Sequence, residues 1–337
     1  MGMRVEEARR LACRWVREEG AALPGFGGAF LTGSALWADP SDELPVTSDV
    51  DVMVIADPPV RIGKFRYEGV LLEVSAIPGI GGVREVLGDY HLAGNLHLPG
   101  VLADPTGRLE RLHRLVARGF AERRWVLARC EDALGRIRDR LGGLDAAAPL
   151  PAQVMAWLFG TGVTAHVPLV AALRNPTVRR RYAAVRDLLA AHGRLDLHEE
   201  LLELLGCAGM SPARVSRHLT TLEVVFDAAA QADAPDYPFA SDLTPAARPV
   251  AIDGGRELVA RGLHREAVFW LAATYARCLA KRAAAGLGGY EDGLLELLDD
   301  LGAGTPADRR RRADRVLAAL PALRRTAVSL IPPGAPA

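Results

Sequence analysis

Residues 29–55, AFLTGSALWADPSDELPVTSDVDVMVI, constrain the fold more than any other stretch. An apolar run ends in Gly33-Ser34, a polar loop follows, and Asp49-Val50-Asp51 opens a second apolar run, VDVMVI. Side chains alternate between the two faces of a strand, so Asp49 and Asp51 share one face while Val50 and Val52 enter the core on the other. Two carboxylates side by side repel each other. A divalent cation between them relieves that cost, and hard cations take carboxylate oxygens. Gly33 lets backbone approach an anion closely, and the Ser34 hydroxyl can donate to its oxygens.

The surrounding pattern predicts a small mixed α/β region. Val5, Ala8, Leu11, Ala12, Trp15 and Val16 recur at helical spacing over residues 3–20. The first strand is expected over Ala29–Thr32 and the second over Asp49–Ile55. Between them, Ala35–Ser48 carries Pro40 and Pro45 and reads as loop. In FRYEGVLLEVSAIP, residues Val70, Leu72, Val74 and Ala76 share one strand face. Leu71, Glu73 and Ser75 share the other, which puts a third acid on the strand after the paired aspartates. A short helix over 82–90 and a short strand and turn over 100–107 complete this part.

From Leu109 the chain is Ala/Leu/Arg-rich with helical periodicity. Helices are expected over 108–118, 120–141, 151–173, 177–191, 196–206, 211–232, 254–262, 264–285, 289–301 and 306–327. Residues 142–151 read as a connection and 233–250 as a long irregular stretch. The tail 331–337 is expected to be disordered. The fold class is therefore α+β: a small mixed-sheet domain over 1–141, then an all-helical domain over 151–330.

Charge excludes little. There are 41 basic and 41 acidic residues, which argues against a broad nucleic-acid footprint. Two of the basic residues are lysines, Lys64 and Lys281, and the rest are arginine. No apolar run reaches about 18 residues, and the charged N-terminus lacks a leader's apolar region, so a cytoplasmic protein is expected. Cys13, Cys130, Cys207 and Cys278 are scattered, each in helix-like sequence, and read as buried free thiols.

Gly33-Ser34, Asp49-x-Asp51 and Glu73, in that order and strand context, resemble the polymerase-β-like nucleotidyltransferase superfamily. Fourteen residues separate Ser34 from Asp49, a longer spacer than the family pattern. Glu73-Val74 in LLEVSAI, and GVLADPTGRLERL at 100–112, resemble the kanamycin and streptomycin/spectinomycin antibiotic nucleotidyltransferases. The likeness is at motif level over 29–112 and only architectural over 150–337.

The resemblance implies a Mg²⁺-dependent transfer of a nucleoside monophosphate, AMP from ATP, onto a hydroxyl of a small molecule, aminoglycoside-like or another metabolite. Asp49, Asp51 and Glu73 would be the catalytic and metal-binding set for two Mg²⁺ ions, with Glu73 either a ligand or the general base. Gly33, Ser34 and Lys281 would bind the nucleotide, with Arg277 a further candidate. Glu85, Asp89, Glu199 and Glu200 are candidate contacts for a cationic acceptor, each also readable as a solvated charge. The runs Arg179–Arg181 and Arg309–Arg312 read as solvated faces or as an RNA-facing patch. His91 and His97 read as ordinary hydrogen-bonded histidines. Two other readings stand beside the first: a toxin-like nucleotidyltransferase acting on tRNA or protein, and a non-catalytic nucleotide-binding protein.

Overall fold

The computed structural model describes residues 2–333, and its fold is α+β. Residues 334–337 of the expected tail lie outside the described residues, while Ile331, at its start, is buried. The chain divides into two compact units. The first runs to Arg129 and takes in Leu173–Asn175 and Ile331. The second comprises Cys130–Ala172 and Pro176–Leu330. The division thus falls inside one long helix, Arg123–Gly142, rather than at a loop.

The first unit opens with helix α1 (Val5–Glu18), whose buried stripe is the set spaced for it: Val5, Ala8, Leu11, Ala12, Trp15 and Val16. Glu6 and Glu7 in its first turn and Arg17 in its last suit the helix dipole. Strand β1 (Phe26–Thr32) ends in a five-residue helix α2 (Gly33–Trp37), so Ala35–Trp37, expected as loop, are helical. A helix this short is weak alone. Arg9 of α1 supports it by donating to the carbonyls of Ala35, Leu36 and Ala38 at 2.8–3.0 Å. Those are the carbonyls a helix C-terminus leaves without partners.

Strand β2 (Val50–Ala56) follows, with strict alternation of burial. The segment expected to hold one strand makes a hairpin instead: β3 (Gly63–Tyr67) and β4 (Val70–Ile77). The two-residue turn is Glu68-Gly69, with φ of 45° and 88°. Both are left-handed, as a turn matching strand twist requires, and glycine takes the second without strain. Short helices α3 (Val83–Gly88) and α4 (Tyr90–Leu96) precede β5 (Val101–Ala103) and α5 (Arg108–Gly119).

The sheet order is β3-β4-β2-β1-β5. Strands β2 and β4 are parallel and every other pair is antiparallel. One face packs on α1 through Val50, Val52, Val54, Leu72 and Val74. The other packs on α3–α5 through Phe30, Val86, Leu96, Leu109 and Val116. Register follows from this burial. Each fully buried valine of β2 is worth about 1.5–3 kcal/mol, and a one-residue slip would put the aspartates in the core.

The second unit is helical, with α6 (Arg123–Gly142) leading into it. It holds α7 (Leu150–Gly162), α8 (His166–Ala171), α9 (Arg181–Ala191), α10 (Leu195–Leu205), α11 (Pro212–Ala230), α12 (Gly254–Ala260), α13 (His264–Ala284), α14 (Glu291–Asp300) and α15 (Pro306–Leu330). Among the described residues one helical stretch, Leu150–Ala171, is long and apolar enough to cross a membrane, and 83% of that window is buried inside the protein. Gln153, Thr161, Thr164 and His166 interrupt it, so it is apolar on average and not an uninterrupted apolar run of about 18 residues.

The arginine runs, expected as solvated faces or an RNA-facing patch, are solvated only in part: Arg180 and Arg311 are exposed, and the others turn inward. Arg181 is 1% exposed with its guanidinium over the Phe269 ring at 3.9 Å. Arg309, 3% exposed, donates to the carbonyls of Ala303 and Gly304 and to Gln153. Arg310 donates to the Leu141 and Leu144 carbonyls and Arg312 to those of Gly302 and Glu203. These side chains staple loops and helix ends, where a planar five-donor group serves well. None of the four cysteines is in a disulfide; Cys130, Cys207 and Cys278 are buried as expected, and Cys13 is only half-buried. Burial pushes the thiols of Cys207 and Cys278 up.

Candidate functional site

Sheet register assembles one row of side chains. Thr32 on β1 pairs with Asp51 on β2, Asp51 with Glu73 on β4, and Glu73 with Lys64 on β3. Neighbouring strands lie about 4.8 Å apart, so these groups meet although they are far apart in the chain. Asp49, just before β2, points to the same side. Each of Asp49, Asp51 and Glu73 offers a carboxylate oxygen, and these oxygens lie within 4.8 Å of one another. All three side chains are half-buried. The arrangement can hold a divalent cation: it is an all-oxygen, acidic donor set of the kind hard cations take.

The Gly33-Ser34 turn stands against this row. Gly33 has φ +66°, and a Cβ there would lie 1.9 Å from Asp51 Oδ2. Both the conformation and the space therefore call for glycine. The Gly33 amide donates to Asn95 Oδ1 at 3.4 Å, and the Ser34 side chain is exposed.

Sequence reasoning missed Lys64. Its ammonium lies 2.5 Å from Asp49 Oδ2 and also donates to Glu73 Oε2. The side chain is 7% exposed, against 13% for Asp49 and 31% for Glu73. The electrostatics divide accordingly. Burial works against the Asp49 charge, but the Lys64 ammonium outweighs it and holds the carboxyl below the usual range. Asp51 is pushed well above that range, first by burial and then by the charges of Asp49 and Glu73. The signal that would have found Lys64 is Glu68-Gly69 between two alternating runs, which marks a two-residue hairpin.

The other candidates have separate settings. Lys281 of α13 is 4% exposed in the second unit and donates to the Leu243 carbonyl at 2.9 Å, with burial lowering its affinity for the proton. Arg277, on the same helix, pairs with Asp242 at 3.0 Å and lies over the Phe239 ring at 4.3 Å. Both groups fasten the 233–250 stretch onto α13. Glu85 accepts from the Gly82 amide, and Asp89 caps α4 by accepting from the amides of His91 and Leu92. Glu199 pairs with Arg265 at 2.6 Å, and Glu200 is exposed. His91 packs its ring on Tyr90. His97 stacks on Phe120 at 3.6 Å and bonds the Ala93 carbonyl, and burial brings it down to about 4.

No protein-family model matches the chain, and neither a curated protein nor a solved structure matches it.

Proposed function

We propose that the chain is a Mg²⁺-dependent nucleotidyltransferase that moves a nucleoside monophosphate, AMP from ATP, onto a hydroxyl of a small molecule. The observation that carries this reading is the row in which Asp51 stands opposite Glu73 on adjacent parallel strands, with the Gly33 turn wedged against Asp51. A carboxylate set beside a glycine turn that carries an exposed serine is the pairing that a nucleoside triphosphate needs.

In this reading Asp49 and Asp51, with Glu73 as a third ligand or as the base, would hold the divalent ions, which would neutralise charge on the reacting phosphate. The Gly33 turn carries Ser34, whose exposed hydroxyl would donate to the oxygens of the terminal phosphates. The acceptor oxygen attacks the α-phosphorus and the bond to the bridging oxygen breaks. Pyrophosphate leaves with that electron pair. Where Glu73 is not a ligand it would take the hydroxyl proton, being the most exposed of Asp49, Lys64 and Glu73. Antibiotic modification is the nearest case for the acceptor chemistry, and a metabolite with a free hydroxyl fits equally.

Pyrophosphate release with ATP, Mg²⁺ and a panel of hydroxylated acceptors, aminoglycosides included, tests the reading. Release that is absent from Asp49→Asn supports it. A folded protein that binds ATP yet turns over with no metal, nucleotide or acceptor overturns it. Label that passes from ATP into tRNA or protein in a lysate would move the acceptor to a macromolecule. One observation favours a second reading, a non-catalytic nucleotide-binding protein: Lys64 already pairs with two of the three carboxylates. Metal titration separates the two readings, because a permanent ammonium would exclude the divalent ion.

A further inference from the structure

The ion pairs of Lys64 carry a role for this residue, one that rests on the metal-binding reading above. Lys64 lies on β3, the edge strand of the sheet, directly opposite Glu73. Its ammonium bridges Asp49 and Glu73, two of the three carboxylates that can hold a cation. One ammonium spans two carboxylates, so the lysine draws their like charges together. Asp51 sits beside this bridge and pairs in register with Glu73.

Composition sharpens the point. Nearly every basic residue here is arginine, and the two lysines, Lys64 and Lys281, are both buried on oxygen acceptors. Arginine would bind the carboxylates through a rigid two-pronged fork. Lysine is a compact charge on a flexible stem, able to let one partner go. Its stem can swing while the backbone ladder of β3 on β4 stays intact.

We propose that Lys64 is a positioning residue that acts as an internal counter-ion: its ammonium holds Asp49 and Glu73 in place without a divalent cation and leaves at least one of them when that ion binds. The lysine and the metal then compete for the same oxygens. The bridge keeps like charges from splaying the site apart between binding events.

The test uses the full chain, Mn²⁺ as the probe, and electron paramagnetic resonance of free Mn²⁺ to measure binding. Lys64→Met should bind Mn²⁺ about tenfold more tightly than the wild type, since a competing charge is gone. Its melting temperature without metal should be lower, and the two proteins should converge at saturating Mn²⁺. Lys64→Met that binds Mn²⁺ no more tightly than the wild type overturns the proposal. If the wild type binds Mn²⁺ and Asp51→Asn does not, that result removes only the Lys64 role. If neither the wild type nor Lys64→Met binds at millimolar Mn²⁺, the metal-binding reading falls with it. Should Lys64→Met not fold without metal, Lys64→Arg decides. It keeps the charge on a stiffer fork and should bind Mn²⁺ more weakly than the wild type, and equal or tighter binding overturns the proposal.

Discussion

Gly33 and Asp51 share one packing space: a Cβ on residue 33 would lie 1.9 Å from Asp51 Oδ2. The glycine also holds φ +66°, where a side chain is strained in any surroundings. Gly33→Ala should therefore destabilise the first unit by about 1–3 kcal/mol and push the Asp51 carboxylate out of its row. The expected readout is a lower melting temperature together with loss of the Mg²⁺-induced rise. An alanine protein with unchanged stability and metal response would dissociate the turn from the carboxylates.

The two aspartates should respond in opposite directions. Asp51 is half-buried beside the charges of Asp49 and Glu73, so its own charge is disfavoured. Asp51→Asn should raise the melting temperature measured without divalent metal. Asp49 is held ionised by Lys64, and Asp49→Asn should lower it. Both substitutions should cut pyrophosphate release by about 10²–10³-fold or more, the scale for losing a group aimed at developing charge. Thermal melts with and without Mg²⁺, beside the release assay, check both halves.

His97 should set part of the acid limit of stability. Its proton affinity falls to about 4 in the folded chain because burial disfavours the charged ring, against about 6.5 unfolded. The unfolded chain therefore binds the extra proton first. This contribution to stability is whole above about pH 6.5, is lost as pH falls toward 4, and levels off below that. Between pH 7 and pH 5 the loss is about 2 kcal/mol. His97→Phe, which keeps a ring against Phe120, should remove it. His198, also near 4 by burial, leaves a residual slope. Denaturant melts at both pH values measure the difference between the two proteins.

Arg309 and Arg311, two residues apart, should differ sharply. Arg309 is buried and serves two carbonyls and the Gln153 side chain. Arg309→Met leaves those acceptors without a donor and should cost about 2–4 kcal/mol, roughly 1–3 for each buried group left unpaired. Arg311 is exposed and pairs with nearby Asp308, so Arg311→Ala should stay within about 0.5 kcal/mol. Urea melts of the two variants side by side decide whether the run is a staple or a solvated face.

Local periodicity carried the parts of the fold that neighbours along the chain decide. The buried stripe of α1 follows from 3.6-residue spacing. The facing of Asp51 away from Val50 and Val52 follows from the two-residue alternation of β2. The Ala/Leu-rich helices of the second unit were legible for the same reason, within a few residues at most ends. Strand β3 was not, because GKFRY is short and half-buried, with Phe65 and Tyr67 its only large apolar groups. Only Glu68-Gly69 marked the turn.

The amino-acid sequence alone determined the α+β class and the three acids Asp49, Asp51 and Glu73, because alternation and turn chemistry are local properties of a chain. Tertiary structure decided that Lys64 joins them, since that depends on the register of β3 on β4 and of β4 on β2. It decided too that Arg181, Arg309, Arg310 and Arg312 turn inward, because a charged side chain goes where distant carbonyls and rings complete its bonding. No spacing along the chain records where those partners lie.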